Sequence, residues 1–150
     1  MNTEPCDAEH PGIAAPFDAE ALRVAADRLG LRLVVRFGSR ATGAIPPSTP
    51  GSDLDIAVLA GTRWVTLHEL YDALADAFPG ADLDLALLNT ADPLFRYEVF
   101  RRSDLLFGDP DLYAEYQAYA YRDFMDSADL RALEDALSRR KLRRLLDAAA

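Results

Sequence analysis

Two segments with the same alternating pattern, DLDIAVL at 53–59 and DLDLALL at 82–88, limit what this chain can fold into. Their apolar residues predict strands, and successive side chains of a strand point to opposite faces. In each segment both aspartates therefore share one face with an alanine and a leucine, while aliphatic residues fill the other. Near-continuous apolar runs of this kind are typical of strands buried on both faces. We therefore expect both segments in the core of a sheet.

Aspartates inside such strands require a compensating positive charge. Aspartate has poor strand propensity, and burying an unpaired carboxylate costs several kcal/mol. Four of them (Asp53, Asp55, Asp82 and Asp84) indicate a metal site, and hard oxygen donors without nearby His or Cys favour Mg²⁺ or Mn²⁺. Carboxylates from two strands can hold one or two ions for an in-line displacement at phosphorus. A plainer interpretation is that Asp53 and Asp82 only cap strand ends, whereas Asp55 and Asp84 lie deeper.

A third predicted strand, residues 31–37, runs directly into Gly38-Ser39. Glycine removes the side chain where a phosphate oxygen must approach the backbone. Ser39 offers a hydroxyl and an amide, which with the following amides can cradle a triphosphate at a helix N-terminus. Alone, a strand followed by Gly-Ser is more often a plain turn. Followed by an Asp-x-Asp strand, it indicates a nucleotide site.

The remaining signals predict helices between and after the strands. Asp18 begins the first helix and Gly30 ends it, and Thr66 with Glu69 forms a capping box. Asp92-Pro93 and Asp109-Pro110 each combine an N-cap with proline at the first helical position. The pattern predicts an α/β (α+β) fold, a small mixed sheet covered by helices. We expect a loose tail at 1–16, the main domain at 17–109, and a C-terminal helical extension at 110–150 packed on the same domain.

Composition restricts the partners of this fold. A chain of 150 residues has room for one core, and its net charge of -9 repels nucleic acid and anionic membranes. We therefore expect no direct nucleic-acid or membrane partner, and any nucleotide must be neutralised locally. The single cysteine, Cys6, forms no internal disulfide, and the two histidines build no zinc site. The N-terminus lacks a signal-peptide core, which favours a cytoplasmic location.

Gly38-Ser39, Asp53-x-Asp55 and Asp84 together resemble the nucleotidyltransferase signature of the polymerase-β-like superfamily. More closely, the chain resembles the minimal nucleotidyltransferases (MNT) that accompany HEPN-domain toxins. The segment LLNTADPLFRYEVFRRSDLLFGD, 87–109, points to that antitoxin branch. The resemblance covers about residues 17–125, and it implies the polymerase-β-like nucleotidyltransferase fold.

The resemblance also implies roles for individual residues. Gly38 and Ser39 would hold the NTP phosphates, assisted by Arg40. The metal ligands would be carboxylates of the two strands, binding two Mg²⁺ or Mn²⁺ ions: Asp53, Asp55 and Asp84. Asp84 would be a ligand or the base for the acceptor hydroxyl. It is preferred to Asp82 because counting back from Asn89 places it on the family's aspartate.

Members of this branch transfer AMP from ATP to a tyrosine of the partner toxin, which silences its ribonuclease activity. The resemblance thus implies an antitoxin, with ATP as substrate and an HEPN-type toxin as hetero-oligomeric partner. A tyrosine hydroxyl with a pKa of about 10 needs a nearby base to attack. One departure from the family is the longer loop: thirteen residues separate Ser39 from Asp53, and the additions fall within 45–51.

Two other functions remain open at this stage. A binding-only antitoxin would neutralise its toxin by covering it, through the apolar helices after residue 110. A small-molecule nucleotidyltransferase of the aminoglycoside type shares the motifs but usually has a second domain, for which this chain is short. Three arginines of the predicted helix at 93–102 are interpreted as a solvated face: Arg96, Arg101 and Arg102.

Overall fold

The computed structural model describes residues 17–38 and 53–149. Its strands are β1 (Leu31–Phe37), β2 (Leu54–Ala60), β3 (Leu83–Leu87) and β4 (Ser103–Gly108). They form one mixed four-stranded sheet with the order β3-β2-β1-β4. β1 pairs antiparallel with both β2 and β4, while β2 and β3 are parallel.

Helices cover both faces of this sheet. One apolar cluster joins the first two helices to one face, and a second cluster joins the next two to the other. The helices are α1 (Ala19–Leu29), α2 (Leu67–Leu74), α3 (Pro93–Arg101), α4 (Pro110–Asp126) and α5 (Ala128–Ala148). The prediction of a small mixed sheet covered by helices is confirmed. None of the helices in the described ranges is long and apolar enough to cross a membrane.

Local signals in the sequence set the helix ends. The Asp18 carboxylate accepts from the backbone N–H groups of Glu20 and Ala21, and Gly30 ends α1 at a φ of 67°. In the capping box of α2, the Thr66 hydroxyl accepts a hydrogen bond from the Glu69 backbone N–H. The Thr66 backbone N–H in turn donates to the Glu69 carboxylate. These predicted caps are confirmed. The tail at 1–16 lies outside the described residues.

The expectation that both aspartate-bearing strands are buried on two faces is correct for β2 and wrong for β3. All residues of β2 except Asp55 are buried, whereas Leu85 is the only buried residue of β3. The reason is position in the sheet, since β2 lies between two strands and β3 forms an edge. The exposed Asp84 in β3 therefore carries no burial cost.

Side-chain contacts fasten β3 and α3 to the rest of the domain. The Asn89 side chain pairs with both backbone groups of Ala60, at 2.9 and 3.0 Å, and so continues the β2 pairing past the end of β3. Arg96 donates to the Leu88 carbonyl and to the Asp123 carboxylate, with its side chain only 14% exposed. The solvated interpretation is therefore wrong for Arg96, which links β3 to α3 and α4.

The two C-terminal helices differ in how they contact the domain. α4 contributes the buried Ala120 to the second cluster, against which Tyr113 and Tyr116 pack. α5 has 21 residues, and none of them is buried. Six of its leucines are more than half exposed: Leu130, Leu133, Leu137, Leu142, Leu145 and Leu146.

Candidate active site

The end of β1 meets the first half of β2 at a close backbone contact. Gly38 has a φ of 78°, and a Cβ built there would lie 2.6 Å from Oδ2 of Asp55. Both facts exclude a side chain, because L residues rarely adopt this φ and the space is already filled. The glycine of the predicted Gly-Ser turn therefore lies directly against one of the predicted carboxylates.

Asp55 and Asp84 occupy facing positions on neighbouring strands. They are in register in the parallel β2–β3 ladder, and strands in a sheet lie about 4.8 Å apart. Side chains in register share a face, and here it is the face covered by α3 and α4, where the neighbouring Ala57 packs. Asp55 is partly buried and Asp84 is exposed. A phosphate group or an ion at this position would therefore be reachable from solvent.

The other two aspartates lie just before their strands. Asp53 and Asp82 are both exposed, and the Leu54 backbone N–H donates to the Asp82 carbonyl at 2.8 Å. Over residues 17–38 and 53–149, no three Asp, Glu, His or Cys side chains are grouped closely enough to hold an ion. The structure thus brings Asp55 and Asp84 together but does not gather Asp53 with them. Ser39 and Arg40 lie outside the described residues.

These exposures change the reason for inferring a metal. The argument that four buried carboxylates need a cation is wrong, because three of the four are exposed and only Asp55 is partly buried. The remaining reason is the arrangement itself. Two carboxylates in register on neighbouring strands bring hard oxygen donors close enough to share one divalent ion, and such donors favour Mg²⁺ over zinc. The glycine backbone beside them lets a phosphate group approach closely.

An ion pair next to this site was not recognised from the sequence. Arg36, two residues before Gly38, is 3% exposed, and its guanidinium donates to Oδ2 of Asp104 at 2.8 and 3.3 Å. The signal was present as charged residues inside two apolar strands, two arginines in LRLVVRF and one aspartate in SDLLFG. Pairing them required the β1–β4 neighbourhood, which no local pattern supplies.

A family model described as "Polymerase beta, Nucleotidyltransferase" matches residues 22–111, which is more than half of the chain. The chain therefore belongs to this family and is a nucleotidyltransferase. No curated protein sequence matches the chain.

Solved structures of toxin–antitoxin complexes have a similar fold. A chain of a toxin–antitoxin crystal structure with AMP-PNP is similar at 22% identity and a TM-score of 0.64, covering 81% of this chain and 99% of that one. A chain from the complex of tri-AMPylated Shewanella oneidensis HEPN toxin with MNT antitoxin shares 21% identity, with a TM-score of 0.58 and coverages of 80% and 95%. A chain of an MntA-HepT toxin–antitoxin structure shares 22% identity with a TM-score of 0.58, covering 80% of this chain and 96% of that one. The resemblance to MNT proteins is confirmed at the level of the fold.

Proposed function

We propose that this nucleotidyltransferase transfers AMP from ATP to a tyrosine of a partner HEPN-type ribonuclease toxin, and so acts as its antitoxin. The observation that carries the proposal is the contact of Gly38 with Asp55, with Asp84 in register beside it. A glycine backbone for phosphate and two facing carboxylates are what nucleotidyl transfer requires. The domain belongs to a nucleotidyltransferase family over residues 22–111, which supports the reaction class.

Each predicted residue has a role in this reaction. Residues 38–40 bind the triphosphate through backbone amides, the Ser39 hydroxyl and the Arg40 guanidinium. Asp55 and Asp84 would hold Mg²⁺, joined by Asp53 when the ion binds, and the ion would screen the phosphate charge and polarise the α-phosphate. The tyrosine oxygen forms the new bond to the α-phosphorus, and the bond to pyrophosphate breaks in line with it. Asp84, the more solvent-accessible carboxylate, either completes the ligand set or takes the proton from the tyrosine hydroxyl.

Support for this acceptor comes from the structural neighbours. One of them is a complex with an AMPylated HEPN toxin, and another was crystallised with AMP-PNP. Those descriptions hold for those proteins, and we extend them to this chain because the fold and the facing carboxylates are compatible with the same chemistry. A hetero-oligomer with the toxin, ATP as substrate and a cytoplasmic location belong to the same proposal.

Label transfer from α-³²P-ATP to a co-expressed HEPN-type toxin tests this function directly. We expect Mg²⁺-dependent labelling of a toxin tyrosine by the wild-type chain and none by Asp53→Asn or Asp55→Asn. Asp76→Asn, an exposed aspartate in the turn after α2, is the matched control and should retain labelling. Full labelling by the Asp55→Asn chain would contradict the proposal.

The exposed helix α5 supports a second function, neutralisation of the toxin by binding alone. No other part of the described chain buries the leucines of α5, and they are therefore available to be covered by a partner. Because α4 packs in the core, the informative truncation ends at Ser127 and leaves α4 in place. Binding alone predicts that the Asp55→Asn chain protects cells while the truncated chain does not. Protection by the truncated chain but not by Asp55→Asn would exclude it.

A further inference from the structure

The antiparallel pairing of β1 with β4 changes register just before the candidate site. Val34 lies opposite Phe107, but the next residue, Val35, lies opposite Leu105, which leaves Leu106 as an extra residue in β4. Such an irregularity bends and twists the strand and interrupts the ladder. On the β4 side, the last residues of β1, which lead into Gly38, therefore pair in a register that the first part of the β1–β4 ladder does not impose, while their pairing with β2 is regular.

Arg36 and Asp104 are directly opposed in the ladder beyond this irregularity. Two N–H groups of the Arg36 guanidinium donate to the same oxygen of Asp104, at 2.8 and 3.3 Å. Arg36 is the buried charged side chain of the described residues, at 3% exposure, while the Asp104 side chain is 41% exposed. A one-residue slip of β1 against β4 would separate the two charges and leave a guanidinium buried without this partner.

Stability alone does not explain a buried arginine at this position. Arg36 lies opposite Ile56 of β2, on the face covered by α1 and α2, where the neighbouring residues are aliphatic. Replacing a buried ion pair by apolar residues of similar volume is often neutral or stabilising, and the best-attested use of such pairs is to specify register. The pair is also on the face opposite to Asp55, so it acts on the site through the backbone.

We propose that Arg36 and Asp104 are positioning residues that fix the register of the end of β1 and so hold Gly38 against Asp55. Gly108 defines the other end of the same pairing, since a Cβ there would overlap the Arg32 carbonyl oxygen. The two contacts flank the irregularity, one on each side. A shift of about 1 Å at Gly38 would displace the phosphate cradle and lower the transfer rate by about 10²-fold.

The double variant Arg36→Met/Asp104→Leu tests this inference because it removes both charges and fills their space with apolar side chains. We expect its urea midpoint to stay close to wild type, while the backbone amide resonances of Gly38 and Asp55 shift. With the toxin acceptor, kcat should fall by about 10²-fold and the KM for ATP should change much less. Arg36→Lys keeps the charge and should recover part of kcat. The control Arg23→Met/Glu20→Leu removes an exposed ion pair of α1 and should change neither resonances nor kcat.

The kinetic readout rests on the proposed function, but the resonances do not. If the wild-type chain transfers nothing, the proposed function fails, and the shifts of Gly38 and Asp55 still decide the positioning role. A folded double variant with unshifted Gly38 and Asp55 resonances overturns the inference. If the double variant does not fold, Asp104→Asn, which keeps a hydrogen-bond acceptor, takes its place. It should shift the same two resonances by less, and unshifted resonances in it would equally overturn the inference.

Discussion

β2 and β3 are formed by segments of nearly the same sequence, DLDIAVL at 53–59 and DLDLALL at 82–88, but they occupy different environments. β2 lies between β1 and β3, and Ala57 on its aspartate face is 0% exposed. β3 is an edge strand whose corresponding residue, Ala86, is only partly buried. The pattern of a strand therefore specifies its two faces but not how many neighbours it has, because an edge strand can carry the same alternation.

The same difference separates the two facing carboxylates. Asp55 lies on the inner strand against the Gly38 backbone, while Asp84 lies on the edge strand and is open to solvent. We expect Asp55 to be the fixed member of the pair. We expect Asp84, which is exposed, to be the member that approaches the acceptor hydroxyl.

The largest expected effects come from the aspartates themselves. Asp55→Asn and Asp84→Asn should each lower kcat for AMP transfer by at least about 10²-fold, because each removes a carboxylate that would hold the metal ion at the reacting phosphate. Asp82→Asn should lower kcat by less than about 10-fold, since Asp84 and not Asp82 is in register with Asp55. Single-turnover transfer of label to the toxin measures all three. Equal losses for Asp82→Asn and Asp84→Asn would contradict the assignment of Asp84 as the partner of Asp55.

Gly38→Ala should have the next largest effect, a loss of about 10²-fold in kcat. The added Cβ would lie 2.6 Å from Oδ2 of Asp55, so either the turn or the carboxylate must move. Gly80→Ala, just before β3, is the matched control because its φ of 72° imposes the same strain with no atom within 4 Å. It should cost about 1 kcal/mol of stability and leave kcat unchanged. A similar kcat loss in both variants would assign the effect to backbone strain and not to Asp55.

Ala57→Leu and Ala86→Leu compare the packing of the two strands. The first adds three carbons to a filled position and should lower the free energy of unfolding by about 1–3 kcal/mol. The second adds them at a partly buried edge position and should change it by less than about 0.5 kcal/mol. Urea unfolding monitored by circular dichroism gives both values. Equal destabilisation would mean that β3 is covered in solution.

The smallest expected effect concerns α2, the helix that connects β2 to β3. Hydrogen bonds from the Thr66 backbone and side chain lower the pKa of the Glu69 carboxyl. A lowered pKa in the folded state stabilises the protein above the pKa of the unfolded chain, and this contribution is lost as pH falls through the folded value. Between about pH 5 and pH 3, the Tm of Glu69→Gln should therefore fall slightly less than that of the wild type. Glu134→Gln on α5 is the control. If the Tm of Glu69→Gln falls by as much as the Tm of the wild type, Glu69 makes no such contribution.

Most elements of the fold followed from local signals. The helix starts at Asp18, Thr66, Asp92 and Asp109 were predictable because a short polar side chain can satisfy free backbone amides wherever a helix begins. β2 and β3 followed from alternation, and β1 from the apolar run that leads into Gly38. What failed was the environment of Asp84 and of Arg96, because exposure depends on neighbours that are distant in sequence.

The sequence by itself determined the parts of the site that depend on residue type: a glycine for close approach, and carboxylates at alternating positions. It also determined which residues share a strand face, since alternation is a property of the backbone. Only the tertiary structure decided that Asp55 lies against Gly38, that Asp84 stands at an open edge, and that Arg36 meets Asp104. These contacts arise from strand order and register, which are set by packing between segments far apart in the chain.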